Sequence, residues 1–289
     1  MAFDGITVAA IVSELNDTII DSRINKISQV ENDTLLLTLK SSSGQQRLLM
    51  SSNASLPFVY LTASNRPAPL NAPGFCMLLR KMLGSGKITR VYQPGLERII
   101  IIEIEHFDDL GDLKHKKLIT ELMGKHSNII LTDENDKIID SIKHVPSSVS
   151  SVREVLPGRT YFITNTLDKK NPLEATSADF KVDIFSQSRK TAEAIYNTYS
   201  GISPASAEEI CFIAGIDGDS YLESLSAEEH QSLTDSFLKY MEVIKSNAFT
   251  PATVFKNGVP VDYSAVSNKR YESFGGYELT SHDSISELL

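Results

Sequence analysis

A change of hydrophobic period partway along the chain restricts the fold more than any other feature. Up to about residue 142 the sequence carries short, strand-length runs separated by turn residues: 24–30, 34–40, 46–51 and 57–62, then 88–93, 98–105, 118–123, 128–132 and 137–142. Alternation at period two, punctuated by Gly, Pro, Asn and Asp, predicts consecutive strands of a mostly antiparallel sheet. Two helices interrupt it. Val8, Ile11, Val12, Leu15 and Ile19 fall at helical spacing over 7–20, and Pro73 suits the first turn of a helix that stops at Gly84 and Gly86. Pro94-Gly95 supplies a fixed φ followed by a residue free to take a positive one, which predicts a type II turn between 88–93 and 98–105. From residue 187 the period becomes helical, over 187–199 and 203–246. Asn257-Gly258, flanked by apolar residues over 254–261, then gives the strongest short hairpin signal. The pattern predicts an α+β chain: a β-rich domain over 1–175, a helical domain over 176–248, and over 249–289 a hairpin returning to the first domain, followed by a truncated helix at 284–289.

The helical part contains Gly201-Ile202-Ser203-Pro204, which can cap and open a helix, and Ala214-Gly215-Ile216, which can close it with a positive φ. Two helices joined by a glycine-containing turn resemble a helix–hairpin–helix, with Gly201, Ile202, Ser203, Gly215 and Ile216 as its marks. Exposed N–H groups at such a turn can meet phosphate. A plain packing hairpin is the other reading, favoured by the adjacent Glu208 and Glu209.

Charge is unevenly placed. The chain of 289 residues carries a formal net charge of −9, yet residues 1–175 hold 20 bases and 20 acids, so the acidic excess lies in 176–289. Arg80, Lys81, Lys87, Arg90 and Arg98 face Glu97 alone over 76–98, and Lys114, His115, Lys116, Lys117, Lys125 and His126 follow. Basic stretches in an acidic protein suggest a local anionic partner, or else solvated faces. Cys76 and Cys211 lie beside apolar neighbours and far apart, which predicts buried reduced thiols, no disulfide framework and no zinc site. Early acids (Asp4, Glu14, Asp17, Asp21) leave nothing near the N-terminus that resembles a secretory signal, so none is expected, and the densest apolar run, 99–102, is far short of the roughly 20 residues of a spanning helix. A cytoplasmic home is expected. The mid-chain Leu156-Pro157-Gly158-Arg159-Thr160 has the letters of a cell-wall sorting signal in the wrong order.

No catalytic constellation emerges. Gly84-Ser85-Gly86-Lys87 is too short for a phosphate loop and follows a helix instead of preceding one; His-Glu-x-x-His and Gly-x-Ser-x-Gly are absent. His126 and His144 stand beside turns, where a histidine is structural or donates to phosphate. No enzyme and no cofactor are expected.

Several longer strings then point to one family: Met1-Ala2-Phe3-Asp4-Gly5, Arg23-Ile24-Asn25-Lys26-Ile27, Asn71-Ala72-Pro73-Gly74-Phe75-Cys76-Met77-Leu78-Leu79-Arg80-Lys81, Gln93-Pro94-Gly95-Leu96-Glu97-Arg98, Glu121-Leu122-Met123-Gly124-Lys125-His126-Ser127-Asn128, and the string from Gly201 to Ile216. Together they resemble the N-terminal NFACT module of the RqcH family, also labelled FbpA, the bacterial relatives of NEMF. The resemblance implies a fold akin to Fpg/Nei DNA glycosylases without their chemistry, since Ala2 and Phe3 stand where those enzymes carry proline and glutamate. It implies a role in ribosome-associated quality control: binding of 50S subunits obstructed by peptidyl-tRNA, recruitment of alanyl-tRNA for untemplated alanine tailing, and RqcP as a further partner. The implied tRNA- and rRNA-binding residues are Glu97 and Arg98, where the family has Asp-Arg, together with Arg80, Lys81, Lys125, His126 and Asn128. The family's older label implies an alternative, a surface adhesin for fibronectin or fibrinogen.

Overall fold

Helix α1 (Gly5–Ile19) forms where the apolar spacing predicts it, with Val8, Ile11, Leu15 and Ile19 fully buried. Asp4 caps it, its Oδ1 accepting from the Thr7 amide at 2.9 Å and the Thr7 hydroxyl at 3.0 Å. The strands follow in chain order: β1 (Arg23–Glu31), β2 (Thr34–Ser41), β3 (Gly44–Ser51) and β4 (Phe58–Leu61). After helix α2 (Gly74–Leu83) come β5 (Lys87–Tyr92), β6 (Ile99–Phe107), β7 (Leu113–Glu121), β8 (Asn128–Asp133) and β9 (Ile138–Ser141). In this computed structural model residues 3–42, 44–108, 110–150, 152–164, 168–266 and 268–289 are described. Met1 and Ala2 of the opening string lie outside them.

All nine strands join one sheet in the order β4-β3-β2-β1-β5-β6-β7-β8-β9, every pair antiparallel. β1 and β5 pair in register at Arg23 and Lys87, and backbone bonds from Ile24 to Gly86 and from Ile88 to Ser22 flank that pair. β6 is buried on both faces over Ile99–Ile102, which explains its unbroken isoleucine run. One face of β6–β8, made by Ile99, Ile101, Ile119 and Ile130, is covered by Val155 and Tyr161 from the segment after β9. No period in that segment predicts this cover.

The turn between β5 and β6 differs from expectation. Its hydrogen bond runs from the Glu97 amide to the Pro94 carbonyl at 3.0 Å, so Pro94 opens the turn and Gly95, at φ +54°, is its second residue. A positive φ at that position belongs to the primed turns, not to type II, whose proline sits second.

The rest of the chain forms helices α3 (Ser177–Phe185), α4 (Thr191–Thr198), α5 (Pro204–Ile213) and α6 (Ala227–Lys245), strands β10 (Ala252–Lys256) and β11 (Val259–Ser264), helix α7 (Lys269–Ser273), strand β12 (Tyr277–Ser281) and helix α8 (Ile285–Leu288). The helical stretch expected over 203–246 is broken: α5 closes in a Schellman turn, where Gly215 at φ +77° donates to the Phe212 carbonyl and Ile216 to that of Cys211. An aromatic core gathers Phe180, Tyr199 and Phe237, with ring centroids 4.3 to 6.1 Å apart. β11-β10-β12 form a second sheet, and Asn257 and Gly258 both take positive φ between β10 and β11, the type I′ geometry. Cys76 and Cys211 are buried free thiols, and burial pushes the Cys211 thiol up to about 12.

The chain divides into two compact units. A β-rich unit comprises Ile11–Gln93 and Arg98–Thr164; a helical unit comprises Met1–Ala10, Pro94–Glu97 and Asn165–Leu288.

Candidate nucleic-acid interface

Many of the cations that make the sequence look locally basic meet acids, some across the sheet and some in the adjoining turns. Arg90 lies directly across from Glu103, 3.9 Å away, and stacks over the Tyr92 ring. Lys87 reaches Asp21 at 2.7 Å and Lys117 reaches Asp136 at 2.8 Å. Lys114 pairs with Asp108 and Asp112, and His115 lies 3.9 Å from Glu105. Lys116 is buried and hydrogen-bonded to His106. The cross-strand pairs Arg90–Glu103 and His115–Glu105 support the sheet, and the pairs to turn acids likewise leave less charge for a partner.

Four predicted site residues escape this pairing. Lys81, Arg98, Lys125 and His126 are exposed, and their side chains make no ion pair or hydrogen bond among the described residues. Three of them share one end of the sheet. Arg98 immediately precedes β6 and its carbonyl accepts from the Leu122 amide at 2.8 Å, just past β7. Lys125 and His126 belong to the 3-10 turn Gly124–His126 that joins β7 to β8.

That turn is built by the buried members of its own string. Gly124 takes φ +58°, and the Ser127 amide closes the turn on the Gly124 carbonyl at 2.9 Å. Beneath it, the Lys143 ammonium donates to the carbonyls of Ser127 and Ser52, and burial pushes its pKa down. At the end of β7, Glu121 is 1% exposed and binds the Arg153 guanidinium at 2.6 and 2.5 Å, while the Tyr161 hydroxyl donates to it at 3.0 Å. Burial, with the Glu121 charge behind it, drives the Tyr161 phenol well above its ordinary range, so it stays a donor. Within this turn Lys125 and His126 are the exposed residues.

Asn128 differs from these exposed residues. It is 2% exposed; its amide donates to the Lys143 carbonyl at 2.8 Å and accepts from the amides of Ile129 and Lys143. Three of its hydrogen-bonding positions are engaged, two of them in holding β8 to the segment after β9, and its side chain is buried away from an RNA partner. Arg80 and Lys81 stand elsewhere. They close α2, where cations favour the helix dipole, and Arg80 Nε donates to the Ile27 carbonyl at 2.9 Å. Just beyond α2, Gly86 packs on Ile104 and Glu105, so this helix ends near the far end of β6, roughly 20 Å along the strand from Arg98. The structure does not bring them to the Arg98 end.

In the helical unit, Glu97 is half-buried beside the Pro94 turn. The glycine turn there is a packing device. Gly201, at φ +73°, lies so close to Leu96 that an added Cβ would be 2.0 Å from its carbonyl oxygen, and the Gly201 carbonyl accepts from the Gly5 amide at 2.9 Å. Ile202 and Ser203 are buried, and Ser203 caps α5. Ser206 in the first turn of α5 donates to Asp4 Oδ2 at 2.9 Å, so the protein's own carboxylate already answers that helix N-terminus. Gly215 is exposed and Ile216 buried, both in the Schellman turn. Phosphate binding through Gly201, Ile202 and Ser203 is not supported by this geometry. Among the described residues no cluster of three His, Cys, Asp or Glu could hold a metal, and no helix is long and apolar enough to cross a membrane.

Sequence reasoning missed the Glu121–Arg153–Tyr161 knot, whose members are 32 and 40 residues apart, and Lys143 under the turn. No local spacing signals contacts of that range.

The chain combines a nine-stranded antiparallel sheet, with unpaired cations at one end, and a separate helical unit, a mixed fold of strands and helices. The chain matches the family model for the NFACT N-terminal and middle domains over residues 4–289, and it belongs to that family. It is 34% identical over its full length to the Bacillus subtilis protein named Rqc2 homolog RqcH, of which it spans 48%. Half of the chain is 27% identical to the human ribosome quality control complex subunit NEMF, covering 13% of that protein. Among solved structures, the fibrinogen binding protein of Staphylococcus aureus gives a TM-score of 0.83 at 28% identity, covering 100% of this chain and 97% of that one. The N-terminal part of the Streptococcus suis fibronectin/fibrinogen-binding protein gives 0.81 at 27%, covering 99% and 97%. A Lactococcus lactis Fpg bound to DNA is much more distant, at 0.43 and 14%, covering 84% and 78%.

Proposed function

We propose that this chain is an RNA-binding module of ribosome-associated quality control. Arg98 forks onto a tRNA phosphate or base edge, with Glu97 beside it in sequence, and Lys125 and His126 contact the backbone. In the full-length protein the module binds large ribosomal subunits obstructed by peptidyl-tRNA and recruits alanyl-tRNA for untemplated alanine tailing, with RqcP as a further partner. Peptide transfer stays with the ribosome, and the chain itself works in the cytoplasm without a cofactor and without making or breaking covalent bonds. One observation carries this reading: Arg98, Lys125 and His126 stand exposed and unpaired at one end of a sheet whose other basic stretches are largely paired with acids. The names of the relatives, RqcH and NEMF, support the same setting. Sequencing of RNA that co-purifies with the full-length protein tests it: tRNA and large-subunit rRNA are expected, and both fall for Arg98→Ala. An RNA fraction that matches total cellular RNA contradicts it.

A surface adhesin is the second reading, favoured by the solved structures titled as fibrinogen- or fibronectin-binding proteins. Cell fractionation separates the two. Co-sedimentation with 50S particles supports the first, and exposure on intact cells supports the adhesin.

A further inference from the structure

Phe162 presents its ring to solvent on the segment that covers the isoleucine face of the β-rich unit, just after Tyr161, whose amide donates to the Asp136 carbonyl at 2.7 Å. It is 50% exposed, although its neighbours Tyr161 and Ile163 both pack inward on the isoleucine face of β6–β8. The extended segment alternates, so residue 162 must point outward; a polar side chain would satisfy that alternation at lower cost than half an exposed phenyl ring. The backbone under the ring is fixed. Arg153 Nη1 donates to the Phe162 carbonyl at 2.7 Å while Nη2 of the same guanidinium holds Glu121. Glu121 is paired across the sheet with Ile99, next to Arg98, and with Asn128, which ends the Lys125–His126 turn region. One guanidinium therefore links the Phe162 backbone to the residue that ends β7, on the way from the β8–β9 turn to the sheet end that carries Arg98, Lys125 and His126.

An aromatic face on a unit that also carries unpaired cations suits a single-stranded nucleic acid, whose phosphates meet the cations while a base lies on the ring. We infer that Phe162 is a stacking platform for an unpaired base of the RNA whose backbone meets Arg98, Lys125 and His126. The other exposed aromatic described in this unit, Phe107, lies at the opposite end of β6 and has no such cations to complete a site. Any base can stack, so the platform adds affinity for unpaired RNA over duplex without choosing a sequence.

The inference rests on the RNA-binding reading above, and its test separates the two. The chain has no tryptophan, so Phe162→Trp creates a single fluorescent reporter at the platform while keeping an aromatic face. Fluorescein-labelled oligoadenylate and an abasic oligomer of equal length serve as probes, with anisotropy reporting binding. The Phe162→Trp protein is expected to bind oligoadenylate like the wild type, with its emission quenched by oligoadenylate and unaffected by the abasic strand. Phe162→Ala is expected to bind oligoadenylate about 5- to 150-fold more weakly, the range for one lost stacked base, and to bind the abasic strand unchanged. If Arg98→Ala weakens binding while Phe162→Ala does not and the tryptophan stays silent, stacking is overturned and the cationic site stands. If the wild-type protein binds neither strand, the RNA reading falls and takes this inference with it. Loss of large-subunit co-sedimentation in Phe162→Ala with oligoadenylate affinity intact would assign the ring to a protein contact, against the inference.

Discussion

The guanidinium of Arg153 grips both carboxylate oxygens of Glu121, at 2.6 and 2.5 Å, across 32 residues of sequence. Glu121 terminates β7 immediately before the Lys125–His126 turn, and Arg153 comes from the segment that covers the outer face of the sheet. The pair ties that cover to the end of the sheet where the exposed cations stand. Its work is positional, since neither charge is available to a partner: the Glu121 side chain is 1% exposed and that of Arg153 12%.

Removing one member leaves a buried charge without its counterpart, so Arg153→Ala should lower stability by about 3–5 kcal/mol. Urea denaturation measures it. The double variant Glu121→Gln/Arg153→Met should recover much of the loss, because an apolar and neutral replacement removes the stranded charge together with its partner. Equal losses in the single and double variants would mean that the pair is not the source.

Asn128 is predicted to act through folding and not through RNA. Asn128→Ala removes a buried amide that makes three hydrogen bonds, leaving the Lys143 carbonyl and two amides without it, at a cost of about 1–3 kcal/mol. Thermal melts should register the loss, while RNA affinity measured well below the transition stays within twofold of wild type.

Two glycines with nearly the same φ should respond differently to alanine. Gly215→Ala, at φ +77° with open space around it, should cost about 1–2 kcal/mol for the left-handed backbone alone. Gly201→Ala carries the same strain and also drives a methyl group to 2.0 Å from the Leu96 carbonyl oxygen, so it should be clearly the more destabilising of the two. Similar unfolding midpoints for both would contradict the close packing at Gly201.

His106 predicts a loss of stability on acidification. Its Nδ1 faces the Phe107 carbonyl at 3.1 Å and its Nε2 faces the Lys116 ammonium, which suits a neutral ring protonated on Nδ1. Burial, then the Lys116 charge, lowers its pKa below 6.5. Between that lowered value and 6.5 the unfolded chain binds more protons than the folded one, so the contribution is complete above pH 6.5 and declines as pH falls through the folded value. Urea midpoints at pH 7.5 and 5.5 should differ less in His106→Leu than in wild type.

Much of the fold is legible from local pattern. The strand runs, α1 and the isoleucine strand β6 follow from period and turn chemistry, because each is decided by residues within one element. The site is less legible, for a physical reason: whether a cation is free depends on what the sheet register places across from it. Arg90 and Arg98 look equivalent in sequence, yet Glu103 stands opposite one, and the other lies just before the strand begins. Asn128 sits beside exposed residues in the same string and is nonetheless engaged, since its partner Lys143 comes from after β9. The string from Gly201 to Ile216 leaves a phosphate-binding turn and a packing hairpin both open, and the close approach to Gly5 and Leu96 that favours packing is a tertiary fact that spacing does not encode.

The salt dependence of RNA binding tests the central claim most directly. Affinity of the wild-type protein and of Arg98→Ala for a labelled single-stranded RNA is measured across a range of salt concentrations. If Arg98 meets a phosphate, its removal weakens binding and reduces the slope of log affinity against log salt by about 0.7 to 1. An unchanged affinity with an unchanged slope would contradict the account.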